Sequence, residues 1–539
     1  MDHNIWTVFD AVAGAVPDRP ALRWRGETTT FAQLAERARR LARVLNDHGI
    51  GLHSERDGLA GWEAGQDLVG MYMLNGPEFI ETNLAGYAAR AAPFNVNYRY
   101  VAEELAYLLN DANAAAVVYH ARFAPTLASV LSRLDRAPLL IQVADDSNEP
   151  LIEGALDYED VVAAASPEPL EPTHSPDDLY VLYTGGTTGM PKGTLWRQAD
   201  IFAASMGGVR VGEDTDLEGI KAFVQNNAPG RFLPNAPFMH GAAQWLAFGS
   251  LLSGDTVVIN DVVDRLDPNE VWTTIAREDV GSTLMVGDAF ARPLVEELET
   301  GGYDASSLKI VIVGGAFTSP DVKARLLKAL PHALVFDAAG ASETGGAMSS
   351  ISTAASTAEL GVFTAAPSVR VLNAERTGFL EPGSDEVGWF AKSGRIPLGY
   401  LGDKDKTEAT YSLVEDTRYV VVGDRARLRA DGMVELLGRE SVTINSGGEK
   451  IFAEEVEQAL LSHPDVVDVV VTGRPSERWG HEVVAVVHVR NDVTDEALLA
   501  AAAQRIARYK LPKAIVRVDE VLRSPAGKAD YAWARQQVT

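Results

Sequence analysis

The chain is 539 residues long, more than one hydrophobic core serves, so two or more domains are expected. Hydrophobic residues make up 46% and charged residues 23%, the balance of a water-soluble globular protein, while a net charge of −27 argues against nucleic acid or an anionic membrane surface as partner. Cysteine is absent, which removes disulfides, thiol nucleophiles and thiolate-bound zinc and fits a cytoplasmic protein. The N-terminus, MDHNIW, lacks the basic-then-apolar pattern of a signal peptide, and no run approaches the ~18 apolar residues of a membrane span.

In chain order, residues 30–48 (TFAQLAERARRLARVLNDH) read as an amphipathic helix. Thr30 and Gln33 form a capping box, Phe31, Leu34, Leu41 and Leu45 share a face, and Gly49 ends it. Residues 53–66 are a polar, glycine-containing loop without evident chemistry. Short apolar runs follow at 117–119, 139–141, 256–259 and 310–313, separated by helical stretches, the signature of parallel strands covered on both faces. The texture changes near 440, and the polar stretch 438-GRESVTINSGGEK-450 is the expected boundary. Beyond it come a helix at 453–462, strands at 466–471 and 483–489, a helix at 494–507 and a strand at 515–518. The expected class is therefore α/β: a large N-terminal domain, 1–438, of parallel-rich sheets with helices, and a small α+β C-terminal domain, 439–539.

Four segments stand out chemically. The first, 183-YTGGTTGMPKG-193, packs glycines, threonines and a lysine directly after an apolar strand. Glycines let backbone N–H groups approach a ligand, hydroxyls add donors and lysine adds a point charge, which is the equipment for a phosphate. It is not the Walker pattern, since no Gly-Lys-Ser/Thr occurs; a glycine-rich turn from strand to helix is the bland alternative. The second, 337-DAAGASETGG-346, sets Glu343 between hydroxyls, where an oxygen-liking cation such as Mg²⁺ is held, though a solvated loop reads the same way. In the third, 419-YVVVGDRARLRADG-432, Asp424 ends a β-rich run, as an acidic ribose ligand does, or as a turn aspartate does. The fourth, 523-RSPAGKADY-531, places Lys528 on a glycine-containing turn.

In this order and spacing the segments resemble the adenylate-forming superfamily of acyl-CoA synthetases, firefly luciferase and adenylation domains, over essentially the whole chain. The resemblance implies ATP, Mg²⁺ and CoA as cofactor and substrates and a mobile C-terminal domain. It places Thr184, Gly185, Gly186, Thr187, Thr188, Gly189 and Lys192 in the phosphate loop, with Thr187 and Thr188 nearest ATP and Thr187 at its cation. Ala338, Ala339, Gly340 and Ala341 line adenine, Ser342 touches the α-phosphate, Glu343 holds Mg²⁺, and Asp424 and Arg439 hold the ribose. Lys528 bridges the carboxylate and the α-phosphate, Ser441 is the hinge, and Gly447 and Gly448 line the thiol tunnel. Ser441 departs from the aspartate or lysine common at that position. Arg508 and Lys510, in a basic stretch of an acidic protein, are expected to attract the CoA phosphates or to be solvated.

The segment 237-PFMHGAAQW-245 lacks the aspartate that pairs with an amino-acid ammonium, so an amino-acid substrate is not expected. Four segments, YTGGTTGMPKGTLWR, PFMHGAAQW, GRESVTINSGGEKIFAEEVE and RSPAGKADYAWAR, look closest to actinobacterial ligases for bulky sterol side-chain acids, with polycyclic terpenoid acids as an equivalent class. Acyl-pocket candidates are Met239, His240, Gly241, Gly287, Gly314, Gly315 and Ala316. Their small size leaves room for a ring system, or merely permits strand turns. An acyl-AMP ligase serving a carrier protein or a partner enzyme, a luciferase-like oxygenase and a nucleotide-binding regulator without turnover stay open as alternatives. So do a homodimer and a downstream acyl-acceptor enzyme as partners.

Overall fold

The computed structural model describes residues 2–538 apart from 171–172, 185–189, 213, 317, 447–448, 477–478 and 524–526. It divides into two compact units: Met1–Leu284 with Ser342–Gly346 and Arg395–Tyr411, and Met285–Ala341 with Ala347–Gly394 and Ser412–Thr539.

The first unit carries the covered parallel sheet that the apolar runs predict. Its strands lie in the order Ala92–Asn95, Leu68–Tyr72, Ala116–His120, Leu139–Val143, Leu156–Asp157, every neighbour parallel. Three of these strands are buried at every position, which is why their sequences run apolar instead of alternating. A second parallel set joins Pro20–Trp24, Thr256–Val258, Arg231–Pro234 and Ser282–Met285. The amphipathic helix is Phe31–Asp47. Thr30 Oγ1 accepts from Gln33 N at 3.2 Å, Gln33 Oε1 accepts from Thr30 N at 2.8 Å, and Gly49 follows in the left-handed region at φ 73°. The polar loop 53–66 supplies the exposed Glu55 to the buried Arg90: Arg90 bonds both Glu55 oxygens at 2.8 Å and the buried Asp178 at 2.7 Å.

In the second unit, strand Ile310–Gly314 pairs in parallel with Leu334–Ala341. Antiparallel strands Val362–Ala365, Val434–Arg439, Asp424–Leu428 and Gly388–Ser393 follow in that order within the same sheet. The C-terminal segment builds its own five-stranded sheet, centred on the long pair Val466–Ser476 and Gly480–Val489 with Ala514–Arg517 parallel at one side. Alternation sorts its valines: Val469, Val471, Val483 and Val487 face Val456, Leu460 and Leu498, while Val470, Val484 and Val486 face Ala534 and Val538. Helices Ala453–Leu460 and Asp495–Ala502 thus cover one face and Tyr531–Gln537 the other.

Around the expected boundary 438–450, Ile444–Ser446 and Glu449–Ile451 pair antiparallel and both isoleucines are buried. Two expectations are corrected. The helix expected at 494–507 ends at Ala502, and Ile506 turns back onto the core. The strand expected at 466–471 runs on to Ser476 because Gly480–Val489 pairs along its whole length.

Helix Ala453–Leu460 carries two buried carboxyls. Glu457 Oε1 accepts from Val471 N at 2.8 Å, and Tyr531 also bonds Glu457. Burial first, and then the other carboxyl, push Glu457 up to about 8; burial pushes Glu454 up to about 7. A carboxyl raised in the folded state binds a proton that the unfolded chain has released. Its contribution to stability is full below the ordinary carboxylate range and is lost as pH rises towards 8. Glu457→Gln, which keeps the acceptor and removes the charge, is expected to match the parent near pH 5 and to be the more stable near pH 8.5 by on the order of 2 kcal/mol. Urea titrations at the two pH values measure this, and equal midpoints at both would contradict it.

Candidate active site

The glycine loop does not join a strand to a helix. It closes an antiparallel hairpin, Leu179–Thr184 with Lys192–Arg197, whose last described pair is Thr184 opposite Lys192. Gly185, Gly186, Thr187, Thr188 and Gly189 lie outside the described residues. The hairpin is held tightly at its base. The Asn95 side chain bonds the Tyr183 N–H at 2.8 Å, the Tyr183 carbonyl at 2.7 Å and the Met239 carbonyl at 2.7 Å. The Tyr183 hydroxyl donates to Asp111 at 2.7 Å. A Cβ on Gly193 would come within 2.9 Å of the Tyr183 ring, so glycine is needed there for packing. The Lys192 ammonium donates to Asp403, whose carboxyl is held below its usual range chiefly by that bond. Asp403 also caps helix Lys404–Thr410 by accepting from Lys406 N at 3.0 Å.

Strand Gly399–Tyr400 pairs with the second hairpin strand, Tyr400 opposite Thr194. From it the Tyr400 hydroxyl donates to Glu343 Oε1 at 2.7 Å. The Ser342 carbonyl accepts from Trp196 Nε1 at 2.9 Å, so Ser342 and Glu343 are both tied to residues of this three-stranded sheet. Burial and the adjacent Glu343 charge push the Tyr400 phenol far above its ordinary range, so it stays a neutral donor. Among the described residues no cluster of three or more His, Cys, Asp or Glu side chains is arranged to hold a metal ion. Glu343 offers a hard oxygen donor from a half-buried position, which fits Mg²⁺ held by one carboxylate together with phosphate oxygens and water.

In the second unit, Ala338, Ala339, Gly340 and Ala341 end strand Leu334–Ala341. Asp424 and Arg439 stand directly opposite each other on paired strands, with Arg439 Nε 3.2 Å from Asp424 Oδ1. The Arg439 N–H donates to Glu454 at 3.4 Å, and Gly438 at φ 120° leaves room for that carboxyl, which a Cβ would meet at 2.4 Å. Ser441 lies in the short turn Glu440–Val442. Lys528 is exposed and follows Gly527 at φ 69°. Arg508 is exposed, whereas Lys510 bonds both oxygens of Glu455 at 2.5 and 2.8 Å and would have to leave them to meet a phosphate. Gly447 and Gly448 lie outside the described residues.

The acyl candidates fall into two kinds. Met239 is buried and His240 begins helix Gly241–Leu251. A Cβ on Gly241 would meet Leu182 at 2.7 Å, and one on Gly314 would meet the Ala338 carbonyl at 2.8 Å, so close packing explains both glycines and neither is evidence of a wide cavity. Gly287 and Gly315 have φ values of 58° and 77°, which glycine adopts without strain, and Ala316 is half-buried. Sequence reasoning did not single out Tyr400, Asp403, Asn95 or Glu454. The stretch 399-GYLGD-403 carries no local mark of chemistry, because its partners lie far away in the chain.

The model of the AMP-binding enzyme family matches residues 9–388, and that of the AMP-binding enzyme C-terminal domain matches residues 455–528. The chain belongs to the AMP-binding enzyme family. Among members of the family, it is 52% identical to the medium-chain acyl-CoA ligase Mig of Mycobacterium avium, over 98% of this chain and 97% of that one. It is 40% identical to the 3-oxocholest-4-en-26-oate–CoA ligase of Rhodococcus rhodochrous, over 100% and 96% of the two chains. The fold matches the anthranilate CoA ligase AuaEII in complex with anthranoyl-AMP, with a TM-score of 0.82 at 19% identity over 99% and 97% of the chains. This AMP-binding enzyme is an acid–thiol ligase that activates a carboxylic acid with ATP and forms its thioester with CoA.

Proposed function

We propose that the acid is a hydrophobic monocarboxylate, with medium-chain fatty acids the first class and steroid side-chain acids the second. The full-length 52% identity to a ligase named for medium-chain acyl groups carries the first reading, and the 40% identity to a steroid-acid ligase favours the second. The segment 237-PFMHGAAQW-245 offers no carboxylate to an ammonium-bearing acid.

In this reading the loop from Thr184 to Lys192 meets the ATP phosphates, Asp424 and Arg439 take the ribose, and the end of strand Leu334–Ala341 lines the adenine. Bound at Glu343, Mg²⁺ supplies neutralisation of the phosphate charge. Lys528 brings its ammonium to the carboxylate and the α-phosphate, lowering the repulsion between two anions as the carboxylate oxygen attacks phosphorus and pyrophosphate leaves. The acyl-adenylate then meets the CoA thiol. No side-chain nucleophile is needed, which suits a chain without cysteine. A domain division at 438/439 with Ser441 as hinge lets one C-terminal domain serve both steps. No helix among the described residues is long and apolar enough to cross a membrane, and action in the cytoplasm, where ATP and CoA are at hand, is part of the reading.

An ATP–pyrophosphate exchange screen over medium-chain, long-chain, aryl and steroid acids, with mass spectrometry of products with and without CoA, tests the proposal. Medium-chain acids are expected to give exchange and acyl-CoA. Exchange confined to aryl or amino acids would refute it.

A further inference from the structure

A carboxylate that shares a cation with a nucleotide has to present an oxygen in a fixed direction while keeping its negative charge. These two demands conflict if the orienting partner is a lysine or arginine, because a cationic donor neutralises what it orients. A phenol does not. At Glu343 the orienting donor is the hydroxyl of Tyr400, 2.7 Å from Oε1.

The tyrosine is itself over-determined. It is 4% exposed, its strand pairs with the phosphate-loop hairpin with Tyr400 opposite Thr194, and its N–H donates to Thr407 Oγ1 at 2.9 Å. Thr407 in turn donates to the Asp403 carbonyl at 2.7 Å, and the Asp403 side chain holds Lys192. Gly399 makes this arrangement possible, since a Cβ there would meet Thr407 at 2.6 Å and the Gly61 carbonyl at 2.9 Å. Residues 399–403 therefore reach both Glu343 and the lysine of the loop.

We propose that Tyr400 is a positioning residue for cation binding: its hydroxyl commits one oxygen of Glu343 and leaves the other, still charged, for the cation that accompanies ATP. The inference rests on the reading of Glu343 as the cation residue. Partners that orient a metal ligand in this way typically affect affinity or activity 10- to 100-fold when removed.

The test uses the full chain and three variants: Tyr400→Phe, 3-fluorotyrosine at position 400, and Glu343→Gln. Mn²⁺ affinity is read by electron paramagnetic resonance with a non-hydrolysable ATP analogue. The Mg²⁺ concentration for half-maximal acid-dependent pyrophosphate release is read beside it. Tyr400→Phe is expected to weaken Mn²⁺ binding and raise the Mg²⁺ requirement by about tenfold, with KM for the acid unchanged and Tm within about 2 °C. Fluorotyrosine, which keeps the donor, is expected to retain native affinity. Unchanged Mn²⁺ affinity in Tyr400→Phe beside a clear loss in Glu343→Gln would overturn the role of Tyr400 and leave that of Glu343 standing. An equal loss with fluorotyrosine would assign the effect to packing and overturn it too. Unchanged affinity in Glu343→Gln would remove the reading of Glu343 and the inference with it.

Discussion

Replacing Lys528 by alanine is expected to slow acyl-adenylate formation by a factor of roughly 10² to 10³, while transfer from supplied acyl-AMP to CoA stays close to the native rate. The physical reason is the charge balance of the first step. A carboxylate approaches a polyphosphate, and both are anions in a protein whose own net charge is −27, so the opposing charge has to be local. Lysine supplies a compact point charge on a long flexible stem, and Lys528 is exposed, directly after Gly527. Its neighbourhood is anchored: Arg523 bonds Asp468 at 2.5 and 2.7 Å and bridges Ala529. The alanine variant therefore loses the charge and keeps these anchors. In the second step the attacked atom is the acyl carbonyl and the leaving group is AMP, so an ammonium placed for the first step has little to contribute. Pyrophosphate release and thioester formation from synthetic acyl-AMP, measured separately, decide the matter. Equal losses in both would show that Lys528 is not specific to adenylation.

The largest expected effect on stability lies elsewhere, at Arg90. Its side chain is 6% exposed and Asp178 beside it is 2% exposed, joined at 2.7 Å, with Glu55 completing the network at 2.8 Å. Removing one member of a buried pair leaves the other charge without compensation, at a cost of about 3–5 kcal/mol. Asp178 keeps weak bonds from Asn4 Nδ2 and Ser175 N, both at 3.3 Å, which replace little of the guanidinium. Arg90→Ala is expected to fall in this range at pH 7.5. Burial already pushes the Asp178 carboxyl up, and Arg90 offsets that. Without the arginine the carboxyl rises further and takes a proton as the pH falls, so the variant regains part of its deficit at pH 5.5. Arg90→Met combined with Asp178→Asn should lose less than Arg90→Ala alone. Urea denaturation of the three proteins at both pH values checks this, and a deficit below about 1 kcal/mol for Arg90→Ala would mean the pair is not the anchor described.

What was legible in the sequence was whatever is local. The capping box at Thr30 and Gln33 and the apolar runs that became parallel strands are short-range patterns, and each was found where expected. The family resemblance was legible because the chemistry demands particular residue types in unbroken strings, as in 183-YTGGTTGMPKG-193. Reading went astray where a local string had two meanings. The polar stretch 438–450 reads as a domain boundary, yet it holds strand Ile444–Ser446, which pairs with Glu449–Ile451. Gly241 and Gly314 read as pocket space until close neighbours claim it.

By itself, then, the sequence determined the fold class, the order of the motifs and the membership of the family. The tertiary structure decided which side chains meet. Tyr400 reaches Glu343 across 57 residues and Asp403 reaches Lys192 across 211, while Asp424 faces Arg439 only because one strand register sets them opposite. Hydrophobic periodicity and turn chemistry act over a few residues and are written in consecutive letters. A hydrogen bond between distant side chains depends on where whole elements pack, and no local pattern encodes that.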